Sequence, residues 1–466
     1  MNNLLHLHHF TGEADSLLQV FSTIAERPWS MLLDSGTSSH TDAQYDIAVF
    51  SPRLVLIAKN GSSQATSNTG ANIPCPAEPF EAMRCLQQEF MPELPSCELP
   101  FCGGWLGYFS YDLGRYIEKL PNTAIDDISL PDLALGLYDK GLIRHKKSGK
   151  VTAFAWSAAG LEEAKELYLS SNQAAAELQP FSLISDWHSN MTPESYAEKF
   201  HQVQSFLRSG DCYQINLAQR LHAHYQGSEW QAFKKLHRAN NAPFSAYIKL
   251  PDTVIISLSP ERLLLLDNGR IQTKPIKGTR RRKLCDAEDE AAVKDLLTAE
   301  KDQAENLMIV DLLRNDLSKV ATVGSVRVPS LFAVESFPAV HHLVSTIEAE
   351  LADHADCYDL LKGAFPGGSI TGAPKVRAME IIEQLEPHRR SAYCGAIGYL
   401  SACGRMDTNI AIRTLIGEKQ TIYCWGGGGL VADSHCDEEY QETLDKLAKI
   451  LPILSETKSP SQADDT

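Results

Sequence analysis

The sequence predicts an α+β protein built largely from antiparallel sheet, and two observations lead there. Strand-like and helix-like segments are interspersed along 466 residues without a strict strand–helix–strand rhythm, which disfavours a doubly wound parallel sheet. Apolar runs are joined by turns too short to cross over a sheet, "LDNGR" between "RLLLLDN" and "RIQTKPI" being one. No GxxxxGK[ST] loop is present, and "WGGGGL" (Trp425 to Leu430) lacks the spacing of a dinucleotide fingerprint, which disfavours nucleotide binding.

Residues 1–120 form a first section, with strands expected in "WSMLLDSG", "DIAVFSP" and "RLVLIAKN" and a Gly-rich close in "PFCGGWLGYFSYDLGR". Ahead of these, His6, His8 and His9 could ligate a metal but read as a mobile polar terminus. That terminus has neither a basic n-region nor a long apolar h-region. Residues 121–190 read as connecting strands and turns. The region 191–454 opens with a helix: Thr192 can cap it, Pro193 suits its first position, and Glu194 faces the positive end of the dipole. Tyr196, Phe200, Val203 and Leu207 recur at helical spacing and Gly210 ends the run. Further strands are expected in "TVIISLS", "RLLLLDN" and "RIQTKPI", and helices in "KDQAENLMIVDLLRNDL" and "CDEEYQETLDKLAKILPIL". Residues 455–466, "SETKSPSQADDT", read as a disordered tail.

Bulk properties exclude several classes. A formal charge of −16 argues against nucleic acid as the main partner. No apolar run is long enough to span a bilayer, so no membrane role is expected and the location reads as cytoplasmic. Eleven cysteines without a CxxC pair read as free thiols in a reducing compartment rather than a zinc site.

Two acidic helix faces stand out. Asp302 and Glu305 lie three apart on one, Glu439 and Glu442 three apart on the other, with Lys446 a further turn along. Pointed at one cleft they would suit Mg²⁺, which takes one or two protein carboxylates and keeps water or substrate oxygens. A surface i,i+4 pair accounts for Glu442 and Lys446 equally well. "FPGGSITGAPK" runs small residues, Thr371 among them, into a helix start, a place for an anion or simply a Gly/Pro turn. Arg413 in "NIAIRTL" is unusual because burying its charge without a partner is expensive. Lys277 in "PIKGTRRR" is either a solvated cation beside others or an enclosed nucleophile.

Eight segments occur in order: "SPERLL", "PIKGTRRR", "DQAENLMIVDLLRND", "AVHHLVST", "PGGSITGAPK", "YCGAIGYL", "TNIAIRTL" and "GGGGLVADS…EYQETLDK". Together they resemble the chorismate-utilising enzymes, a family that includes anthranilate, isochorismate and salicylate synthases. The similarity spans about residues 190–452 and continues more weakly through "PWSMLLDSG" and "GGWLGYFSYDLGR". It implies a large body of two subdomains, with mostly antiparallel sheets packed face to face and helices outside, as in component I of anthranilate synthase. Anthranilate synthases generally carry "PIAGT"; the lysine form resembles the branch that makes 4-amino-4-deoxychorismate for 4-aminobenzoate and folate. Gln214 stands where water-adding members carry a lysine base, which disfavours isochorismate formation. "RRR" departs from the Arg-Pro-Arg common in relatives.

The resemblance implies roles for particular residues. Lys277 would attack C2 of chorismate while the C4 hydroxyl leaves with a proton from Glu261. Ammonia would then enter at C4 and expel the lysine, with His342 hydrogen-bonding near the leaving or entering group. Tyr393, Arg413, Lys446 and the backbone at Gly278 and Thr279 would orient the carboxylates, with Thr371, Gly427 and Gly428 also at the substrate. Mg²⁺ would be held by Glu305 and Glu442, with Asp302 and Glu439 supporting through water. No Cys-His constellation for glutamine hydrolysis is evident, so ammonia is expected from a separate glutamine amidotransferase subunit. Ser35, Asp42, Ala43, Gln44, Tyr45, Pro243, Phe244 and Ser245 resemble the tryptophan pocket of relatives. Two other readings remain open: an anthranilate synthase component I, and an inactive tryptophan-sensing subunit.

Overall fold

The computed structural model describes residues 5–456 except 13, 37–39, 41, 92–96, 171–177, 284 and 337–339. Among the described residues the strands form two antiparallel sheets of 13 and 12 strands. Local turn chemistry sets much of the register. Asn60–Gly61, Asn268–Gly269 and Lys419–Gln420 all have positive φ and close two-residue hairpins, the backbone geometry that matches strand twist.

The first sheet runs His6–His9, Val151–Ala155, Lys140–His145, Tyr45–Val49, Ser30–Asp34, Phe244–Lys249, Thr253–Ser259, Thr414–Glu418, Thr421–Leu430 and Gln214–Gln226. The second runs from Ile276–Arg281 through Val340–Glu350, Arg270–Thr273, Arg262–Asp267, Met406–Ile410, Ala396–Ser401 and Gly104–Phe109 to Leu133–Tyr138 and Leu54–Lys59. Along both sheets the strands from before residue 156 therefore form one block and those from after residue 213 another, and the blocks join where Ser30–Asp34 pairs with Phe244–Lys249 and where Gly104–Phe109 pairs with Ala396–Ser401. One apolar core joins them: Met31, Ile47, Ile248 and Ile255 from the first sheet pack with Trp105, Tyr108, Leu264 and Ile397 from the second. Each such side chain, fully buried, stabilises the fold by about 1.5–3 kcal/mol. A second cluster, containing Phe21, Trp230, Phe233 and Tyr247, buries helix faces against the first sheet. No helix among the described residues is long and apolar enough to cross a membrane.

The helix Pro193–Ser209 forms as its signals predict. The Thr192 hydroxyl accepts from the Ser195 amide at 3.2 Å, and Gly210 ends it with φ 81°. Three expectations change. His6–His9 is not a mobile terminus but an edge strand paired with Val151–Ala155, the His9 ring 3.0 Å from the Thr152 hydroxyl. Residues 121–190 contain the helix Ala158–Ser170 as well as strands. The last helix is broken into Cys436–Asp445 and Leu451–Ser455, because Pro452 cannot donate to a helix interior and sits in the first turn of a new one. Of the expected tail, 457–466 lie outside the described residues.

Candidate active site

The strands Gln214–Gln226 and Thr421–Leu430 of the first sheet and Ile276–Arg281 of the second converge with two helices, Glu300–Ser318 and Cys436–Asp445. Lys277 lies within Ile276–Arg281, at a bulge where the pairing with Val340–Glu350 shifts between Ile276 and Thr279. A bulge re-aims side chains. Gly278 makes it possible: its φ is 79°, and a Cβ there would lie 2.9 Å from Asp302 Cγ and from Leu296 Cδ1.

The Lys277 ammonium donates weakly to the Ser369 carbonyl at 3.5 Å. Burial pulls its pKa below that of an ordinary lysine and Lys446 adds to this, against the opposing charges of Glu305, Glu261 and Glu442. Glu261, between the strands Thr253–Ser259 and Arg262–Asp267, is 6% exposed. Burial pushes its carboxyl up to about 6, although the Ser369 hydroxyl donates to it at 3.0 Å and Lys277 attracts its charged form. Ser369 thus touches both the amine and the acid.

Other expected residues gather around them. A Cβ on Gly429 would meet Gln214 Nε2 at 2.3 Å and Lys277 Nζ at 3.5 Å, so the glycine strand clears room for both. Gln214 is 1% exposed, and neither its amide nitrogen nor its oxygen has a hydrogen-bond partner among the described residues. Tyr393 stacks on Trp425, ring centroids 5.9 Å apart, and a Cβ on Gly427 would meet its hydroxyl at 2.8 Å. Nδ1 of the buried His342 lies 2.8 Å from the hydroxyl of exposed Thr279. Burial and the Arg413 charge push His342 down to about 3, so it is neutral at physiological pH. Thr371 is fully buried, its hydroxyl donating to the Gly367 carbonyl at 3.1 Å. Lys446 pairs with Glu442 at 2.6 Å and donates to the Gly427 carbonyl at 2.8 Å.

Arg413 is not within a strand. It stands at the crossover between Met406–Ile410 and Thr414–Glu418 with φ 50°. Its guanidinium forms no ion pair or hydrogen bond with the described residues, while burial lowers its pKa against the pull of Glu261. Such a cation calls for an anion.

The four helix carboxylates approach in pairs and do not converge on one point. Among the described residues, only His40, Asp42 and Glu335 bring three ligand atoms within 4.8 Å of one another, and Asp42 and Glu335 already hold the Lys274 ammonium at 2.9 and 2.6 Å. A Cβ on Gly428 would lie 3.1 Å from Glu439 Oε2 and 3.7 Å from Glu442 Oε1. Glu439 is 5% exposed, one oxygen accepting from the Ser434 hydroxyl at 2.6 Å and the other unpartnered. Burial raises the pKa of Glu305, helped by Asp302 and Glu439 and opposed by Lys277 and Lys301. Burial also pushes on Glu442, but Lys446 outweighs it and the net shift is downward. Asp302 is committed to Arg280 at 3.1 Å. An all-oxygen donor set with a buried, unpartnered carboxylate oxygen fits a hard divalent cation.

Residues 30–452 match the chorismate binding enzyme family. The chain belongs to the chorismate-binding enzymes. It is 51% identical to aminodeoxychorismate synthase component 1 of Escherichia coli K12 over 93% of this chain and 95% of that one. The Salmonella typhimurium LT2 protein of the same name is also 51% identical, over 94% and 95%. The crystal structure of anthranilate synthase component I from Streptococcus pneumoniae TIGR4 superposes with a TM-score of 0.78 at 31% identity, covering 88% of this chain and 93% of that one.

This chorismate-binding enzyme also holds a cavity of about 290 Å³ between its sheets. Ser35, Asp42, Gln44, Tyr45, Pro243, Phe244 and Ser245 line it; Ala43, buried in the same loop, does not. Asp34, Arg262 and Asn409 also line it and were not expected. Asp34 accepts from Nε2 of His237 at 2.7 Å and from the Gly36 amide at 2.6 Å, leaving its other carboxylate oxygen buried and unpartnered. Sequence reading also missed Ser369 and Arg390. Arg390 is fully buried, bound to Glu386 at 2.6 Å, to the Ile370 carbonyl at 2.9 Å and to the Asn216 carbonyl at 2.8 Å, fastening the Ser369 loop to the Gln214 strand. "GGSIT" carried a signal, a hydroxyl in a Gly-rich loop; "EPHRR" carried none.

Proposed function

We propose that this enzyme converts chorismate and ammonia to 4-amino-4-deoxychorismate, the precursor of 4-aminobenzoate in folate synthesis, and works in the cytoplasm. The observation that carries the reading is Lys277 with a depressed pKa beside Glu261 with a raised one, both touching Ser369. A neutral amine can attack and a protonated carboxyl can donate. Lys277 forms a bond to C2 of chorismate as the C4–oxygen bond breaks and Glu261 supplies the proton that releases water. Ammonia bonds to C4, the C2–nitrogen bond breaks, and Lys277 departs as an amine. Splitting one displacement into two lowers each barrier. Arg413, without an anionic partner, and Lys446 bind the substrate carboxylates, and Gln214 directs its free amide toward the entering ammonia. His342, neutral, offers a hydrogen bond through Thr279. Glu305 and Glu442, with Glu439 and Asp302 behind them, would hold Mg²⁺. Bound there, the ion supplies positive charge that offsets the acidity of the chain and favours a dianionic substrate.

The ammonia comes from a separate glutamine amidotransferase, consistent with relatives named component 1. The test is product analysis by mass spectrometry with chorismate, Mg²⁺ and either ammonium or glutamine. Ammonium alone should give 4-amino-4-deoxychorismate and no pyruvate, and glutamine alone no product. Anthranilate with pyruvate would refute the assignment, and a glutamine-dependent product from the pure chain would refute the separate amidotransferase.

The inter-sheet cavity binds tryptophan in this reading. The unpartnered Asp34 oxygen receives the ammonium, and the apolar lining takes the ring. Denatured protein should release close to one tryptophan per chain. Asp34→Asn should reduce that retention at least about tenfold, the loss expected when a buried charged hydrogen bond of roughly 1.5–3 kcal/mol is removed. Equal retention in the variant would show that Asp34 is not the anchor.

A further inference from the structure

Three cysteines from two distant segments gather beside the inter-sheet cavity, whose lining includes their neighbours Glu98, Pro100 and Arg405. Cys102 is fully buried just before the strand Gly104–Phe109, and Cys403 follows the neighbouring strand Ala396–Ser401. Cys97 lies five residues before Cys102 on the same approach. The Ser401 hydroxyl ties two of the thiols together, 3.5 Å from Cys102 Sγ and 3.2 Å from Cys403 Sγ. Cys102 also lies close enough to both Cys97 and Cys403 for the thiols to influence one another's titration. The Leu99 amide donates to Cys97 Sγ at 3.3 Å. Cys97 and Cys403 are half-buried, so the two outer thiols are within reach of small solutes while the middle one is not.

We propose that Cys97, Cys102 and Cys403 form a peroxide-reactive thiol site in which Cys403 is the attacking sulfur and Cys102 the resolving one. Position favours Cys403, which is half-buried with the Ser401 hydroxyl 3.2 Å from its sulfur, while Cys102 is fully enclosed behind it. Hydrogen bonding from Cys102 brings the Cys403 thiol down to about 6, against burial and with help from Ser401 and the Arg405 charge, so much of it is thiolate at neutral pH. Cys97 is brought down less, to about 7, by the same Cys102 bond. Cys102, by contrast, is raised by the hydrogen bonds it gives to both neighbours and by burial, which suits a thiol that waits for a sulfenic acid.

The chemistry balances without a cofactor. The Cys403 thiolate attacks one oxygen of hydrogen peroxide, the O–O bond breaks, and the departing hydroxide takes up a proton to become water. Cys102 sulfur then attacks the sulfenic sulfur of Cys403, the S–O bond breaks, and hydroxide leaves with the Cys102 proton as a second water. Two thiols lose two electrons and one peroxide is reduced to two waters. Because Cys102 can pair with only one neighbour at a time, Cys97 can afterwards exchange onto it, releasing Cys403. The bond closes across segments whose neighbours Glu98, Pro100 and Arg405 line the cavity, so the oxidised form fixes that wall.

The test uses the full chain, treated with hydrogen peroxide, alkylated under denaturing conditions and mapped by mass spectrometry without reduction. A cross-linked peptide joining Cys102 to Cys403, or Cys102 to Cys97 after exchange, with the third thiol alkylated, is expected. In Cys102→Ser, a conservative change at a buried thiol, the cross-link should be absent and Cys403 should carry sulfenic or sulfinic acid at lower peroxide than the eight cysteines outside this cluster. Three alkylated thiols in the treated wild type would overturn the proposal. So would oxidation of Cys403 no faster than that of the exposed Cys285.

Discussion

Replacing Lys277 with alanine is expected to lower the rate of 4-amino-4-deoxychorismate formation on the order of 10³-fold or more, since removal of a nucleophile leaves only binding and electrostatic catalysis. The fold should tolerate the change. Lys277 makes one long hydrogen bond, to Ser369, and forms no ion pair within 4.0 Å among the described residues. Removing a cation whose burial already opposes its charge relieves a cost rather than creating one. Chorismate binding should therefore survive, and a KM within a few-fold of wild type with a collapsed kcat is the diagnostic pattern. Trapping chorismate with wild-type protein and omitting ammonia should show a mass adduct on the Lys277 peptide. A Lys277→Ala enzyme with full turnover would remove the covalent step from the mechanism.

The Glu261→Gln variant is expected to lose about 10²–10⁴-fold in kcat, the range for a general acid. Its pH profile is more informative than its rate. Attack needs neutral Lys277 and donation needs protonated Glu261, so the active form carries one proton on the pair. Wild-type kcat/KM should rise as the first proton leaves, near the value of about 6 that burial gives Glu261, and fall as the second leaves. In the variant only Lys277 titrates, so the falling limb at high pH should vanish. Stability should move the other way. The folded carboxyl titrates at about 6 against an ordinary 4.5, so its stabilising contribution is complete below 4.5 and is lost as pH rises through 6. Above pH 6 the glutamine variant should be more heat-stable than wild type, on the order of 2 kcal/mol, with no difference below pH 4. A profile that keeps both limbs would assign the acid to another group.

What could be read in the sequence was what is decided locally. The helix Pro193–Ser209 needs only its cap, its proline and its terminal glycine, and the Asn268–Gly269 turn needs only two residues. Family motifs marked Lys277, Glu261 and Arg413. What could not be read depends on partners distant in the chain. His6–His9 becomes a strand because Val151–Ala155 offers it an edge. Arg413 leaves strand geometry because the chain changes sheets there, which no periodicity in "NIAIRTL" announces. The cavity wall takes Asp34, Arg262 and Asn409 from three separate strands, and Ser369 gains its importance only from standing between Glu261 and Lys277.

The seam between early and late strands in each sheet has a consequence for biosynthesis. Gly104–Phe109 emerges from the ribosome with one neighbour, Leu133–Tyr138, soon available, but its other partner, Ala396–Ser401, is made about 290 residues later. At roughly 5–20 residues per second that is a wait of about 15–60 s, during which an apolar edge lies open to nascent chains nearby. Ser30–Asp34 waits likewise for Phe244–Lys249. Truncated chains should accumulate as insoluble material rather than as folded fragments, and yield in a heterologous host should depend on chaperone supply more steeply than on message level.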